Sequence, residues 1–436
     1  MKTKMLVLVG IAICTILLTS PTLASAGYSK IYGNANEDDV LDMRDVTYIK
    51  LLIFGKKPAT TFADANYDGK ISMLDVGQTK LIILGKEKKL TLVDMADRTV
   101  TVPRPIERVI LADTVDGARI FANLRATDKV VAINKYAYGY SLNPDRGCTA
   151  AFAAPELREL PSIGSYAEPN LELILSLKPD LIISYLGSPR TADTIQEKTD
   201  IPVVCIGYSP AAAKVTSPTG AFSIPFQALR LAGTIIGTEE RAEELISYTN
   251  EKIGEITKIT SKIPDSEKPK VFFNHPGRHP PAAGTMLAIT FYPPLDLAGG
   301  INVAREVHPI MGGATFTISK EQVILWNPDI IIQMGGLKTD PKSAKRKEEL
   351  LTDPDLQTIN AIKNRKVYYS KGYGVGGWDF GLGVTDVYYM AKLFHPDKFV
   401  DLNVEKECNE ILERFYCVDD LYTLIIDRYY DFYRWE

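Results

Sequence analysis

Asp64, Asn66, Asp68, Ser72 and Asp75 stand at positions 1, 3, 5, 9 and 12 of a twelve-residue stretch, with Gly69 at position 6 and Lys70 at position 7. Oxygen side chains at that spacing, a sharp turn at 6 and a main-chain carbonyl at 7 are what a calcium loop requires. Thirty residues earlier, Asn34, Asn36, Asp38, Asp42 and Asp45 fill the same places, Val40 gives the carbonyl, and Asp39 stands where the glycine would be. A left-handed turn costs a non-glycine residue some energy, which Asp bears better than most. Asn34 is neutral where Asp64 is charged. Two Ca2+ sites are therefore expected, the second the stronger. No CxxC or Cys/His cluster points to zinc.

A second acidic pair is also placed by repetition. Glu172 lies in Asn170–Ile183 and Glu321 in Ser319–Ile332, each seven residues before a Pro-Asp pair (Pro179-Asp180, Pro328-Asp329) that an apolar run follows. Proline cannot continue a helix and turns the preceding residue away from helical angles. The run behind it has the length and branched composition of a strand covered on both faces. Each segment thus reads as a short amphipathic helix, a stop and a buried strand, with its Glu in the first helical turn, where the macrodipole favours a carboxylate. Two α/β lobes built alike follow from this.

A ligand between such lobes would sit at the carboxyl ends of the strands. The loops expected there carry Tyr136, Tyr138, Tyr166, His275, Arg278, Tyr373 and Trp378 among glycines. Aromatic rings with glycines between them suit a flat, partly apolar ligand such as a chelate or corrin, and Arg278 can meet an anionic chelator through two parallel hydrogen bonds. His275, His279 and His308 all fall in the second lobe, whereas the first lobe has no histidine. Capture of a bare metal ion by ligands from both lobes is thus the weaker reading. No nucleophile with a base, phosphate loop or functional carboxylate pair emerges, so no enzyme is expected.

The elements that must position these residues are legible along the chain. Lys2 and Lys4 precede an apolar run from Met5 to Leu18 and the small residues Ala24-Ser25-Ala26. This pattern predicts a signal peptide over 1–26 and an exported protein, with retention of the leader as an anchor left open. A module over 28–89 places helices at 46–54 and 76–84, closed by Gly55 and Gly85. A hairpin over 91–102 opens the large domain at 91–400. Its first lobe (91–222) has strands at 108–111, 129–134, 181–184 and 202–206 and helices at 117–124 and 191–198. A long linking helix spans 223–263. The second lobe (268–396) has strands at 270–274, 330–333 and 366–370. An aromatic-rich helical tail occupies 401–436 and is expected to pack back on a lobe.

At 436 residues, with 45% hydrophobic and 24% charged residues, the chain fits two or three soluble domains. Its formal net charge is −4 and no strong basic patch stands out, so nucleic acid is not an expected partner. Cys148, Cys205, Cys408 and Cys417 remain after the leader, and four cysteines allow three pairing patterns. In a continuous helix, Cys408 and Cys417 fall on opposite faces and do not pair.

The duplicated loops, each followed by an apolar helix, resemble a dockerin, which binds calcium and cohesin modules. Two departures from an EF-hand, Asp at position 12 and no helix before either loop, agree with that resemblance. The residues at positions 10 and 11, Met43-Arg44 and Met73-Leu74, are not the Ser-Thr pair that the family often uses to select its cohesin. The large domain resembles the iron-siderophore and cobalamin branch of the periplasmic binding proteins. The resemblance rests on Val93–Val100, Pro105–Val109, Pro161–Gly164, Asn170–Ile183, Gly299–Asn302 and Ser319–Ile332, in the family's order. It implies two Rossmann-like lobes with parallel sheets joined by a long helix, here preceded by a small all-α module. It also implies an ABC permease as partner, docked through Glu172 and Glu321, and an iron chelate or corrinoid as ligand, with haem not distinguished from them. A calcium-dependent, cohesin-type assembly protein using the α/β domain as a recognition body is the alternative.

Overall fold

The computed structural model describes residues 28–38, 40–113, 116–185, 187–207, 222–275, 284–307, 315–335, 337–338, 343–370, 372 and 379–428. The leader lies outside them. The chain divides into two compact units, 1–86 and 87–436.

In the first unit, α1 (Met43–Ile53) and α2 (Met73–Ile83) each begin at a reciprocal capping box. Asp42 and Asp45 cap α1, and Ser72 and Asp75 cap α2. The caps extend both helices three residues ahead of the expected start. Gly55 and Gly85 close them in the left-handed region (φ 70° and 62°), which lets Lys56 N–H reach Leu51 O and Lys86 N–H reach Leu81 O. Ala35, Val46, Ile49, Ala63 and Val76 form the shared core. A single 3₁₀ turn, Thr61–Ala63, precedes the second loop.

The second unit opens with an antiparallel hairpin, β1 (Lys89–Val93) and β2 (Thr99–Pro103). Lobe 1 follows: β3 (Val109–Leu111), α3 (Asp116–Asn123), β4 (Val130–Ile133), α4 (Thr149–Ala153), α5 (Leu171–Leu177), β5 (Leu181–Tyr185), α6 (Pro189–Thr199) and β6 (Val203–Ile206). Its four strands are all parallel in the order β4-β3-β5-β6. Ile110, Ala132, Ile182, Val203 and Cys205 carry its core beneath Ile174 of α5.

The expected linking helix over 223–263 is corrected to two, α7 (Ser223–Ile236) and α8 (Glu239–Thr260). Gly237 turns left-handed (φ 78°) and Thr238 N–H bonds to Gly233 O, ending the first helix and redirecting the chain.

Lobe 2 comprises β7 (Lys270–Asn274), β8 (Thr285–Ile289), α9 (Pro293–Leu297), β9 (Ile301–Asn302), β10 (Thr315–Ser319), α10 (Lys320–Trp326), β11 (Ile330–Met334), α11 (Ser343–Thr352), α12 (Asn360–Lys363) and β12 (Val367–Ser370). The expected all-parallel sheet is corrected here. β8 and β10 run antiparallel along one edge of a six-stranded sheet, while β9, β7, β11 and β12 are parallel.

The repeated Pro-Asp pairs do more than stop a helix. Asp180 Oδ2 accepts from the N–H groups of Glu107 and Arg108, both at 2.8 Å, just before β3. Asp329 Oδ2 accepts from Lys270 N–H at 3.0 Å as β7 starts, and its Oδ1 takes Asn360 Nδ2 at 3.1 Å. Each carboxylate thus pins the neighbouring parallel strand in register.

After β12 come α13 (Phe380–Phe394), α14 (Val404–Tyr416) and α15 (Leu421–Ile426). The tail packs on both lobes. Asp379, the N-cap of α13, accepts from Tyr416 Oη at 2.9 Å and from Thr149 Oγ1, and lies 3.4 Å from the buried guanidinium of Arg119 in α3. Arg428 donates from Nε to Pro144 O at 2.8 Å and lies over the Phe152 ring at 4.7 Å in lobe 1. Its own carbonyl accepts from Lys338 N–H of lobe 2 at 2.8 Å, and Lys338 Nζ reaches Asp427 O at 2.6 Å.

Candidate binding and docking sites

The two acidic loops fold onto themselves by one hydrogen-bond plan. In the second, Asp64 accepts from the N–H groups of Asp68 and Gly69, Asn66 Oδ1 from Asp68, and Asp68 Oδ1 from Lys70. Asp75 accepts from Asn66 and Ser72. In the first, Asn36 Oδ1 accepts from Asp38, Asp38 Oδ1 from Val40, and Asp45 from Asn36 and Asp42. Position 4 is left-handed in both, at Glu37 (φ 56°) and Tyr67 (φ 57°), and Gly69 has φ 84°. Asp39 lies outside the described residues.

The loops differ at position 1. Asn34 gives both amide hydrogens away, to Ser29 O (2.7 Å) and Asp38 O (2.6 Å), and its buried Oδ1 has no partner. A buried orphan oxygen at a ligand position, among carboxylates already oriented by backbone N–H groups, fits an oxygen-loving cation such as calcium. Burial holds the Asp45 carboxyl above the usual carboxylate range, the cost a bound cation would offset.

Glu172 and Glu321 occupy equivalent places on α5 and α10. Asn170 caps α5 by accepting from Leu173 N–H at 3.0 Å, and Ser319 caps α10 by accepting from Gln322 N–H at 3.2 Å. Lys178 and Asn327 end the helices in the left-handed region. Ile174 and Val323 turn inward, while both glutamates face solvent without an ion pair among the described residues.

Of the expected cleft residues, the structure brings two loops of lobe 1 together. Lys135 N–H donates to Gly164 O at 2.9 Å, setting Tyr136 beside the Gly164–Tyr166 turn. Gly164 has φ 86°, and a side chain there would meet Glu168 O at 3.0 Å. Tyr136 is exposed, with Lys135 Nζ 4.9 Å above its ring, and Tyr166 is half-buried. Tyr138 is otherwise engaged: its hydroxyl donates to Leu160 O at 2.6 Å, and burial pushes its pKa up. In lobe 2, His275 ends β7 beside Asn274, whose side chain bonds Gln333 of β11. Burial pushes His275 below the usual histidine range, so the ring is neutral at neutral pH. Arg278, Tyr373 and Trp378 lie outside the described residues, as do His279 and His308.

Sequence reasoning missed Arg119 and the backbone-pinning role of Asp180 and Asp329. A single cation inside the apolar run of α3 was the available signal for the first, and the recurrence of Asp after each Pro for the second. Among the described residues no group of three or more His, Cys, Asp or Glu side chains is gathered as a metal site. All four described cysteines are free, Cys417 alone being exposed.

A family described as periplasmic binding protein matches residues 112–373, more than half of the chain. The molybdate-binding protein MolA of Haemophilus influenzae is 22% identical over 342 residues, 74% of this chain and 90% of that protein. Its molybdate-bound structure aligns with a TM-score of 0.59 at 22% identity, over 76% of this chain and 98% of that one. A periplasmic solute binding protein from Veillonella parvula aligns with a TM-score of 0.58 at 20% identity, over 78% and 96%.

Proposed function

The chain belongs to the periplasmic binding protein family, and on that premise we propose that it is the extracytoplasmic substrate-binding subunit of an ABC importer, capturing an iron chelate or a corrinoid between its lobes and presenting it to a permease. The observation that carries this reading is the duplicated, solvent-facing glutamate. Glu172 and Glu321 sit on capped helices, one per lobe, solvent-facing and without an ion pair among the described residues, as two carboxylates meant for two guanidinium groups would be. The aromatic rings of Tyr136 and Tyr166 favour a ligand with a planar or apolar face.

The resemblance to MolA favours a second ligand class, since that protein binds molybdate. A small tetrahedral oxyanion needs converging N–H and O–H donors rather than ring faces. Thermal unfolding of the mature chain separates the two. Ferric hydroxamate, catecholate and citrate chelates, cobalamin, haem and sodium molybdate are added in turn. A ligand that binds only the folded state raises the midpoint as its concentration rises. A shift with a chelate or cobalamin supports the reading, a shift with molybdate alone replaces its ligand class, and no shift with any overturns ligand capture.

The same reading extends to the first unit, as a calcium-dependent tether of dockerin type with a cohesin module as partner. Asp64, Asn66, Asp68, Lys70 O, Ser72 and Asp75 would hold one Ca2+, and Asn34, Asn36, Asp38, Val40 O, Asp42 and Asp45 the other. Calcium supplies there a fixed positive charge that neutralises crowded carboxylates. Loss of stability of the first unit on chelation, restored by calcium chloride, is the expected result; indifference to both overturns it.

A further inference from the structure

The two loops share their hydrogen bonds but not their charge balance. At position 11 the first loop has Arg44 and the second Leu74. Arg44 Nε lies 3.1 and 3.0 Å from the two oxygens of Asp42, and Nη1 lies 3.2 Å from Asp38 Oδ2. One guanidinium therefore spans the ligands at positions 5 and 9. The Arg44 side chain nonetheless remains 60% exposed. In the second loop no ion pair among the described residues reaches Asp64 or Asp68, and Leu74 points to solvent, 67% exposed.

We propose that Arg44 is a built-in counter-ion that competes with calcium for the first loop, so that the two loops fill in order, the second before the first. The inference rests on the calcium reading above and adds a cause and a residue to it. Without metal, Arg44 occupies the place of positive charge and holds the first loop folded. A Ca2+ entering that loop must free Asp42 and Asp38 from the guanidinium. Because Arg44 is exposed and its bonds are to solvent-accessible carboxylates, its release is cheap and salt-sensitive. The second loop has no such substitute and depends on the metal. The orphaned Oδ1 of Asn34 belongs with this account: the guanidinium covers positions 5 and 9 and leaves position 1 unmet.

The test is calorimetric titration of the full mature chain with calcium chloride, at low and high sodium chloride. The wild type is expected to show two unequal steps. Arg44→Leu, which copies the second loop, should tighten the weaker step about three- to tenfold; Arg44→Gln should do the same, guarding against a packing effect. The reciprocal Leu74→Arg should weaken the tighter step by a similar factor. Added salt should narrow the gap between wild type and Arg44→Leu. Two unequal steps with neither Arg44 variant moving the weaker one by more than about twofold would overturn the inference and leave the calcium reading intact. No calcium heat in any form of the protein overturns both.

Discussion

Lobe 1 and lobe 2 present the same helix, Pro-Asp and strand motif on differently built sheets. In each, a seven-residue helix starts at a side-chain cap, exposes a glutamate on its first turn and buries one residue, Ile174 or Val323. Each then ends left-handed and passes through Pro-Asp into the central strand. Behind α5 stands a purely parallel four-stranded sheet; behind α10, a six-stranded sheet with two antiparallel strands at one edge. The motif tolerates this because its anchor is local. Asp180 and Asp329 tie it to the strand immediately alongside, β3 or β7, whatever lies further out. What is repeated is the helix that turns its glutamate to solvent.

The widest consequence is in transport. Reversing both charges (Glu172→Arg with Glu321→Arg) should abolish ligand uptake by cells carrying the cognate permease while lowering the thermal midpoint by only a few degrees, since each helix-terminal carboxylate contributes about 0.3–1 kcal/mol. Single reversals sharpen the comparison: equal loss means the permease reads the lobes symmetrically, and unequal loss breaks the equivalence. Next in size, Ile174→Ala should destabilise lobe 1 by about 2–5 kcal/mol in a denaturant titration, and Val323→Ala, deleting less, should cost lobe 2 less. Asp180→Ala strips the two N–H groups just before β3 of their acceptor and should cost about 1–2 kcal/mol, with Asp329→Ala smaller because it frees one N–H group and one side-chain amide.

A smaller difference lies in pH. Burial lifts Asp296 of lobe 2 to about 6, against the lowering influence of Arg305. The folded chain then binds that proton more tightly than the unfolded chain, whose carboxyl titrates near 4. Stability therefore falls as pH rises from about 4 to about 6. Asp296→Asn should remove that component of the slope, measured as the difference between the two denaturant midpoints at each pH. Least of all in energy, iodoacetamide should label Cys417 and spare Cys205, whose thiol burial pushes up to about 12.

Lobe 1 was almost wholly legible in the sequence because its strands are buried on both faces and read as unbroken branched apolar runs. Lobe 2 was less so. Thr315–Ser319 alternates Thr, Phe, Thr, Ile, Ser, a period-two signal of an edge strand that was available and not used. Thr285–Ile289 lies among prolines and glycines and pairs only through distant partners, which no local pattern reveals. The linking helix reads as continuous because its apolar period runs on through Gly233, Gly237 and Gly254, which weaken it; the backbone angle at Gly237 shows which of them breaks it. The repetition of the loops at 34–45 and 64–75 and of the two glutamates is readable from spacing alone. Arg44 was named only as a specificity position, since spacing does not show which carboxylate a long side chain reaches.

Arg428 belongs to the last turn of the described chain, yet it touches Pro144 and Phe152 on one side and Lys338 on the other. Lobe 2 cannot swing away from lobe 1 by bending at Gly237 and Thr238 alone; the far side is buckled as well. Parting the halves would mean breaking the bonds of Arg428 to Pro144 and Lys338 as well as bending the chain between α7 and α8.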